Sequence, residues 1–134
     1  MSNVTRFMRG GKIADNAQAV RVISNVVDFS LLAVTAADVV RALKIDAGTL
    51  VFSVGLKCIT AEGATATVTI GDESAVDTFI GATDINSTAT DVGDALAAPL
   101  YYKDDNYVNL VAGHNLDAAK VYVWAVVANV LGNV

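Results

Sequence analysis

Cysteine, proline and histidine each occur once in the 134 residues, and only 7% of the chain is aromatic. A lone cysteine, Cys58, cannot close an intrachain disulfide, so stability does not depend on an oxidising compartment. It sits in an alternating apolar run and reads as a small buried hydrophobe rather than a reactive thiol. With one histidine and one cysteine there are no paired Cys or His ligands for a metal, and no cofactor is expected. The chain also lacks a Gly-x-Ser-x-Gly elbow, a phosphate-binding loop and a dinucleotide fingerprint. No Pro-rich or charged low-complexity linker divides it. The longest apolar stretch, residues 121–131, is interrupted by Asn129 and falls short of the roughly 20 residues of a membrane-spanning helix. The N-terminus is basic but has no apolar core or small-residue cleavage site of a secretory signal. An enzyme, a secreted protein and a membrane protein are therefore not expected.

What the chain does have is apolar mass. Hydrophobic residues make up 54% of it and its mean hydropathy is +0.49. A chain of this size hides roughly two-thirds of its unfolded surface in one domain. So much apolar area must be buried inside or between subunits, and self-association is expected. Charge is uneven. Arg6, Arg9 and Lys12 with no acid give residues 1–12 a charge of +3, which leaves −8 on the remainder of a chain whose net charge is −5. The acidic body should repel nucleic acid. The basic arm suits an acidic surface on a neighbouring subunit or another protein, with Phe7, Met8 and Ile13 as apolar anchors; a frayed, solvated terminus is the plainer alternative.

Hydrophobic period locates the elements. Leu50, Phe52, Val54, Leu56 and Cys58 alternate with Ser53, Gly55 and Lys57, the period of two of a half-buried strand. After Ala61-Glu62-Gly63 a second run sets Ala64, Ala66, Val68 and Ile70 against Thr65, Thr67 and Thr69, so the two runs are expected to form a hairpin. Residues 19–29 and 39–45 are Val-rich strand candidates; Asp38 could instead cap one helical turn over 39–43, but strand is preferred. Residues 107–111 and 121–130 follow Asx-type turns and complete the set. The long polar stretch 71–106 is expected to hold short strands near 77–80 and 100–102. Six to eight such strands give an all-β fold, a single antiparallel β-sandwich of jelly-roll type, with residues 1–18 as an extended N-terminal arm and 19–134 as the sandwich. In the last strand neither face is polar: Val121, Val123, Ala125 and Val127 occupy one and Tyr122, Trp124, Val126 and Ala128 the other. One face belongs in the core and the second must meet a loop or another subunit, which makes Tyr122, Trp124 and Val126 the candidate self-association residues.

Asp72, Asp77, Asp84, Asp91, Asp94, Asp104 and Asp105 are oxygen donors of the kind Ca²⁺ takes, but their spacing is not that of an EF-hand and they read as solvated loop carboxylates. His114 has no assignable nucleophile beside it. Tyr101, Tyr102 and Tyr107 flank a turn and could stack on sugar rings, although packing is the commoner use.

The runs Asp38 to Val51, Thr60-Ala-Glu-Gly63, Ala66 to Asp72, Asp77-Thr-Phe-Ile80 and Tyr102 to Leu110 resemble small virion proteins of tailed bacteriophages. Such proteins serve as capsid decoration or cement proteins, and some as head-fibre or tail components. The resemblance spans roughly residues 38–130 and consists of strand and turn patterns. It implies a non-enzymatic virion protein on the capsid exterior, made in the bacterial host cytoplasm. It also implies a homotrimer that binds the major capsid protein. The arm, with Arg6, Phe7, Arg9 and Lys12, would make that contact through paired hydrogen bonds to carboxylates. The rival expectation is a host-facing fibre or tail component that binds cell-surface carbohydrate through the 71–106 loops and the tyrosines.

Overall fold

A computed structural model describes residues 20–130. They form eight strands, and no helix among them: β1 (Val20–Asp28), β2 (Val39–Ile45), β3 (Thr49–Thr60), β4 (Thr67–Gly71), β5 (Ile80–Asp84), β6 (Asp91–Tyr102), β7 (Asn106–Ala112) and β8 (Lys120–Asn129). The sandwich has two four-stranded antiparallel sheets, ordered β1-β8-β3-β6 and β2-β7-β4-β5. Strand pairing runs inward from the two ends of the chain, β1 with β8, β2 with β7, β3 with β6 and β4 with β5. The added pairs β3 with β8 and β4 with β7 roll this ribbon into the two sheets of a jelly roll. The expected all-β sandwich is thus the observed fold; the 1–18 arm lies outside the described residues.

Alternation decides which side chains fill the space between the sheets. Val121, Val123, Ala125 and Val127 of β8 are completely buried, as are Val54 and Leu56 of β3, Val68 and Ile70 of β4, and Val108 of β7. Each such Val, Leu or Ile contributes about 1.5–3 kcal/mol by leaving water. Phe29 and Leu116 close one end of the core, where Phe29 N–H donates to the Ala119 carbonyl at 2.8 Å.

Three expectations need correction. The 50–58 and 64–70 runs are not a hairpin: β3 pairs with β6 and β8, while β4 lies in the facing sheet. Both send apolar side chains into the same core from opposite sides, and alternation is blind to which strand lies alongside. Within β3 the phase shifts at a bulge between Val51 and Ser53, so Val51 enters the core and Leu50 and Phe52 do not. In the polar stretch, β5 falls at Ile80–Asp84 rather than 77–80, and β6 is twelve residues long rather than three. As an Ala-rich edge strand, β6 buries little and carries no alternation to find.

Candidate functional site

The outer face of the β1-β8-β3-β6 sheet is laid out in rows across its four strands. The first row holds Val20, Ala128, Leu50 and Tyr101, and the second Val22, Val126, Ser53 and Ala95. The third holds Ser24, Trp124, Gly55 and Gly93, and the fourth Val26, Tyr122, Lys57 and Asp91. Charge enters only in the fourth row, where Lys57 and Asp91 pair at 3.7 Å. Val20, Val22 and Val26 are 62, 60 and 47% exposed, so this apolar face is open toward β1.

The third row explains Trp124. The indole lies across the two glycines beside it: a Cβ on Gly55 would overlap its six-membered ring, and one on Gly93 would come within 3.1 Å of Cζ2. Gly55 is buried under this cover. Absence of two side chains makes the groove, and the ring fills it. Trp124 is thereby half-buried within its own subunit, and Tyr122 and Val126 flank it on the same face. The structure brings Tyr122, Trp124 and Val126 together as the sequence suggested. It adds Val20, Val22 and Val26, whose period-two spacing was the available signal.

On the outer face of the β2-β7-β4-β5 sheet lies a polar chain. Arg41 Nη2 donates to Glu73 Oε1 at 2.6 Å, Asn109 Nδ2 donates to Glu73 Oε2 at 2.5 Å, and the Arg41 guanidinium stacks 4.4 Å above the Tyr107 ring centroid. The Asn109 and Arg41 donors hold the Glu73 carboxyl below its ordinary range. Asn109 is 3% exposed, and its Oδ1 has no hydrogen-bond partner among the described residues. It lines a pocket of about 190 Å³ with Val39, Val76 and Val111, beside an open groove of about 820 Å³ that reaches Leu32. These residues are too far apart in the chain for sequence spacing to have assembled them.

Two buried carboxylates are fasteners. Asp72 Oδ1 accepts from the N–H groups of Ser74 and Ala75 and from the Ser74 and Thr78 hydroxyls, and Oδ2 accepts from the Tyr102 hydroxyl at 2.6 Å. Burial and this bond to Asp72 push the Tyr102 hydroxyl far above its usual range. Glu62 accepts from the N–H groups of Asp117, Ala118 and Ala119 at 2.9, 3.1 and 2.9 Å, tying the β3–β4 connection to the β7–β8 connection.

Tyr101, Tyr102 and Tyr107 do not share a surface. Tyr101 is on the outer face described first, Tyr102 is buried against Asp72, and Tyr107 lies under Arg41 on the opposite sheet. His114 is exposed in a loop, and Cys58 is buried with its thiol held above its usual range by desolvation. Among the described residues no three His, Cys, Asp or Glu side chains converge as metal ligands, and no helix is long and apolar enough to cross a membrane. Arg6, Phe7, Arg9 and Lys12 lie outside the described residues.

Neither a protein-family model nor a curated protein matches the chain. Its fold does match chains in three solved phage assemblies. A chain of the cyanophage Pam1 capsid asymmetric unit superposes with a TM-score of 0.70 at 16% identity, over 95% of this chain and 93% of that one. One in the acid-stable capsid of Helicobacter pylori bacteriophage KHP30 gives 0.61 at 14%, over 83% and 89%. One in the capsid of Ralstonia phage GP4 gives 0.60 at 12%, over 84% and 86%. At these identities the likeness is one of fold.

Proposed function

We propose that this chain is a non-enzymatic bacteriophage virion protein that decorates the capsid, binding the major capsid protein from the outside and stabilising the head. The observation that carries the proposal is the near full-length match of the sandwich to chains of three phage capsid assemblies. An apolar sheet face supports the same reading. The mechanism is multivalent clamping. Copies joined through the Tyr122, Trp124 and Val126 face, as a homotrimer, present several modest capsid contacts at high effective concentration, so weak single contacts add up to a tight staple. The basic segment with Arg6, Phe7, Arg9 and Lys12 supplies one contact per copy, directed at carboxylates of the capsid protein. The protein is made in the host cytoplasm and resides on the capsid exterior. Dispersal of Tyr101, Tyr102 and Tyr107 over three environments leaves the carbohydrate-binding alternative without its stacking platform. Deleting residues 1–13 tests the arm: capsid binding is expected to be lost while self-association persists, and full-strength binding by the truncated protein would reject the arm's role.

A further inference from the structure

A sheet exposes two edge strands, each a row of backbone groups able to recruit another strand, and folded proteins blunt most of them. Three of the four edges here are blunted. In β6, Leu100 pairs with Val51 and Ala95 with Ser53, so residues 96–99, Pro99 among them, bulge away opposite Phe52 alone. In β2 the ladder skips Ala42, whose carbonyl accepts from Asn25 Nδ2 at 3.0 Å. In β5 only five residues are extended, and their register breaks between Val68 and Ile70. The fourth edge, β1, has none of these protections. It makes nine consecutive pairs with β8 without a shift, contains no proline or lysine, carries its one cation, Arg21, in the inner-face register opposite Val127, and among the described residues has no strand hydrogen-bonded to its other side.

We infer that the β1 edge is a two-fold contact between copies of this chain, in which Val20–Asp28 pairs antiparallel with Val20–Asp28 of a second copy about Ser24. The strand is self-complementary in that register. Val22 faces Val26 of the second copy and Val26 faces its Val22, placing four exposed valines together on the outer face. Asp28 meets only the terminal Val20, and all nine residues pair. A two-residue slip loses two pairs and sets Val22 or Val26 against Ser24; a one-residue slip opposes outer-face to inner-face residues. The contact joins two sheets into one of eight strands and extends the apolar face of β8 across the two-fold axis. It goes beyond capsid decoration and does not depend on it. A trimer would carry three such edges, each free to pair with a β1 of a neighbouring trimer.

The test is cross-linking of the full-length protein carrying Ser24→Cys. Cys58 is 1% exposed, so the introduced thiol is the reactive one. Directly opposed residues of an antiparallel pair have Cα atoms about 4.5–5.5 Å apart, inside the disulfide range of about 4.4–6.8 Å. Under mild oxidation at micromolar protein, a covalent dimer is expected to form on the order of a hundredfold faster than with Leu31→Cys, a position 85% exposed, because the paired edge holds the thiols at millimolar effective concentration. Adding Val22→Lys should reduce the rate to that of the Leu31→Cys control. Equal rates for Ser24→Cys and Leu31→Cys would overturn the inference. So would a Ser24→Cys protein that cross-links only after residues 1–19 are removed, since the chain itself would then cover the edge. Capsid binding is not part of the readout, so the result stands apart from the decoration proposal.

Discussion

Glu62 offers the sharpest energetic prediction. The residue is 8% exposed, and its carboxylate is the shared acceptor for three consecutive amides of a loop more than fifty residues away. Glu62→Ala leaves all three without a partner. Asp117 and Ala118 are not fully buried and can recruit water, but Ala119 is completely buried. A buried donor left unpaired costs about 1–3 kcal/mol, and loss of two charge-assisted bonds partly replaced by water adds about 1–2 kcal/mol. The expected loss is therefore about 2–5 kcal/mol, read by urea denaturation at pH 7. Its pH dependence has a definite sign. Desolvation alone would raise the Glu62 carboxyl, but the amides of Asp117, Ala119 and Ala118 and the Asp117 side chain outweigh it, and its pKa lies below the usual value. A depressed folded-state pKa means the contribution is complete above the unfolded value near 4.3 and fades as pH falls through the folded value. Asp117, raised by its hydrogen bond to Glu62 and by that charge, shifts the opposite way and shallows the slope. The gap between wild type and Glu62→Ala should thus narrow at acid pH. A loss under about 0.5 kcal/mol at pH 7 would refute the fastener role, because even one unpaired buried amide costs more.

Two further substitutions probe packing and backbone. Gly55→Val drives a branched side chain into the Trp124 indole, so a loss of about 1–3 kcal/mol is expected together with a red-shifted tryptophan emission; unchanged emission would mean that the ring does not lie over the glycines. Ala37 has φ of 77°, a left-handed conformation that disfavours a Cβ. Ala37→Gly should raise stability by about 0.5–1 kcal/mol in the same denaturation assay, and a loss would contradict that backbone geometry.

The sandwich was legible where one face is wet and the other dry. Val68 and Ile70 against Thr67 and Thr69, and the two apolar faces of β8, can be read directly from the chain and lie where the period places them. Pairing was not legible: nothing in residues 50–70 signals that the chain crosses between sheets after Thr60, because the anchor for that crossing, Glu62, finds its partners at residues 117–119. Bulges were equally silent, so the phase of Leu50 and Phe52 was misread. For the candidate surface, Tyr122, Trp124 and Val126 followed from the all-apolar β8. What the sequence concealed was that the indole is occupied by Gly55 and Gly93, which are nonadjacent in sequence and neighbours only in the folded sheet. The open part of this face is consequently made more by the exposed valines of β1 than by the indole.

Binding of the purified protein to capsids stripped of accessory proteins tests the central claim most directly, with bound copies counted by density in particle reconstructions. Decoration predicts saturable binding at a stoichiometry compatible with icosahedral symmetry, density on the outer surface against the major capsid protein, and particles that withstand heating better. A folded protein that leaves the capsids bare at saturating concentration would contradict it.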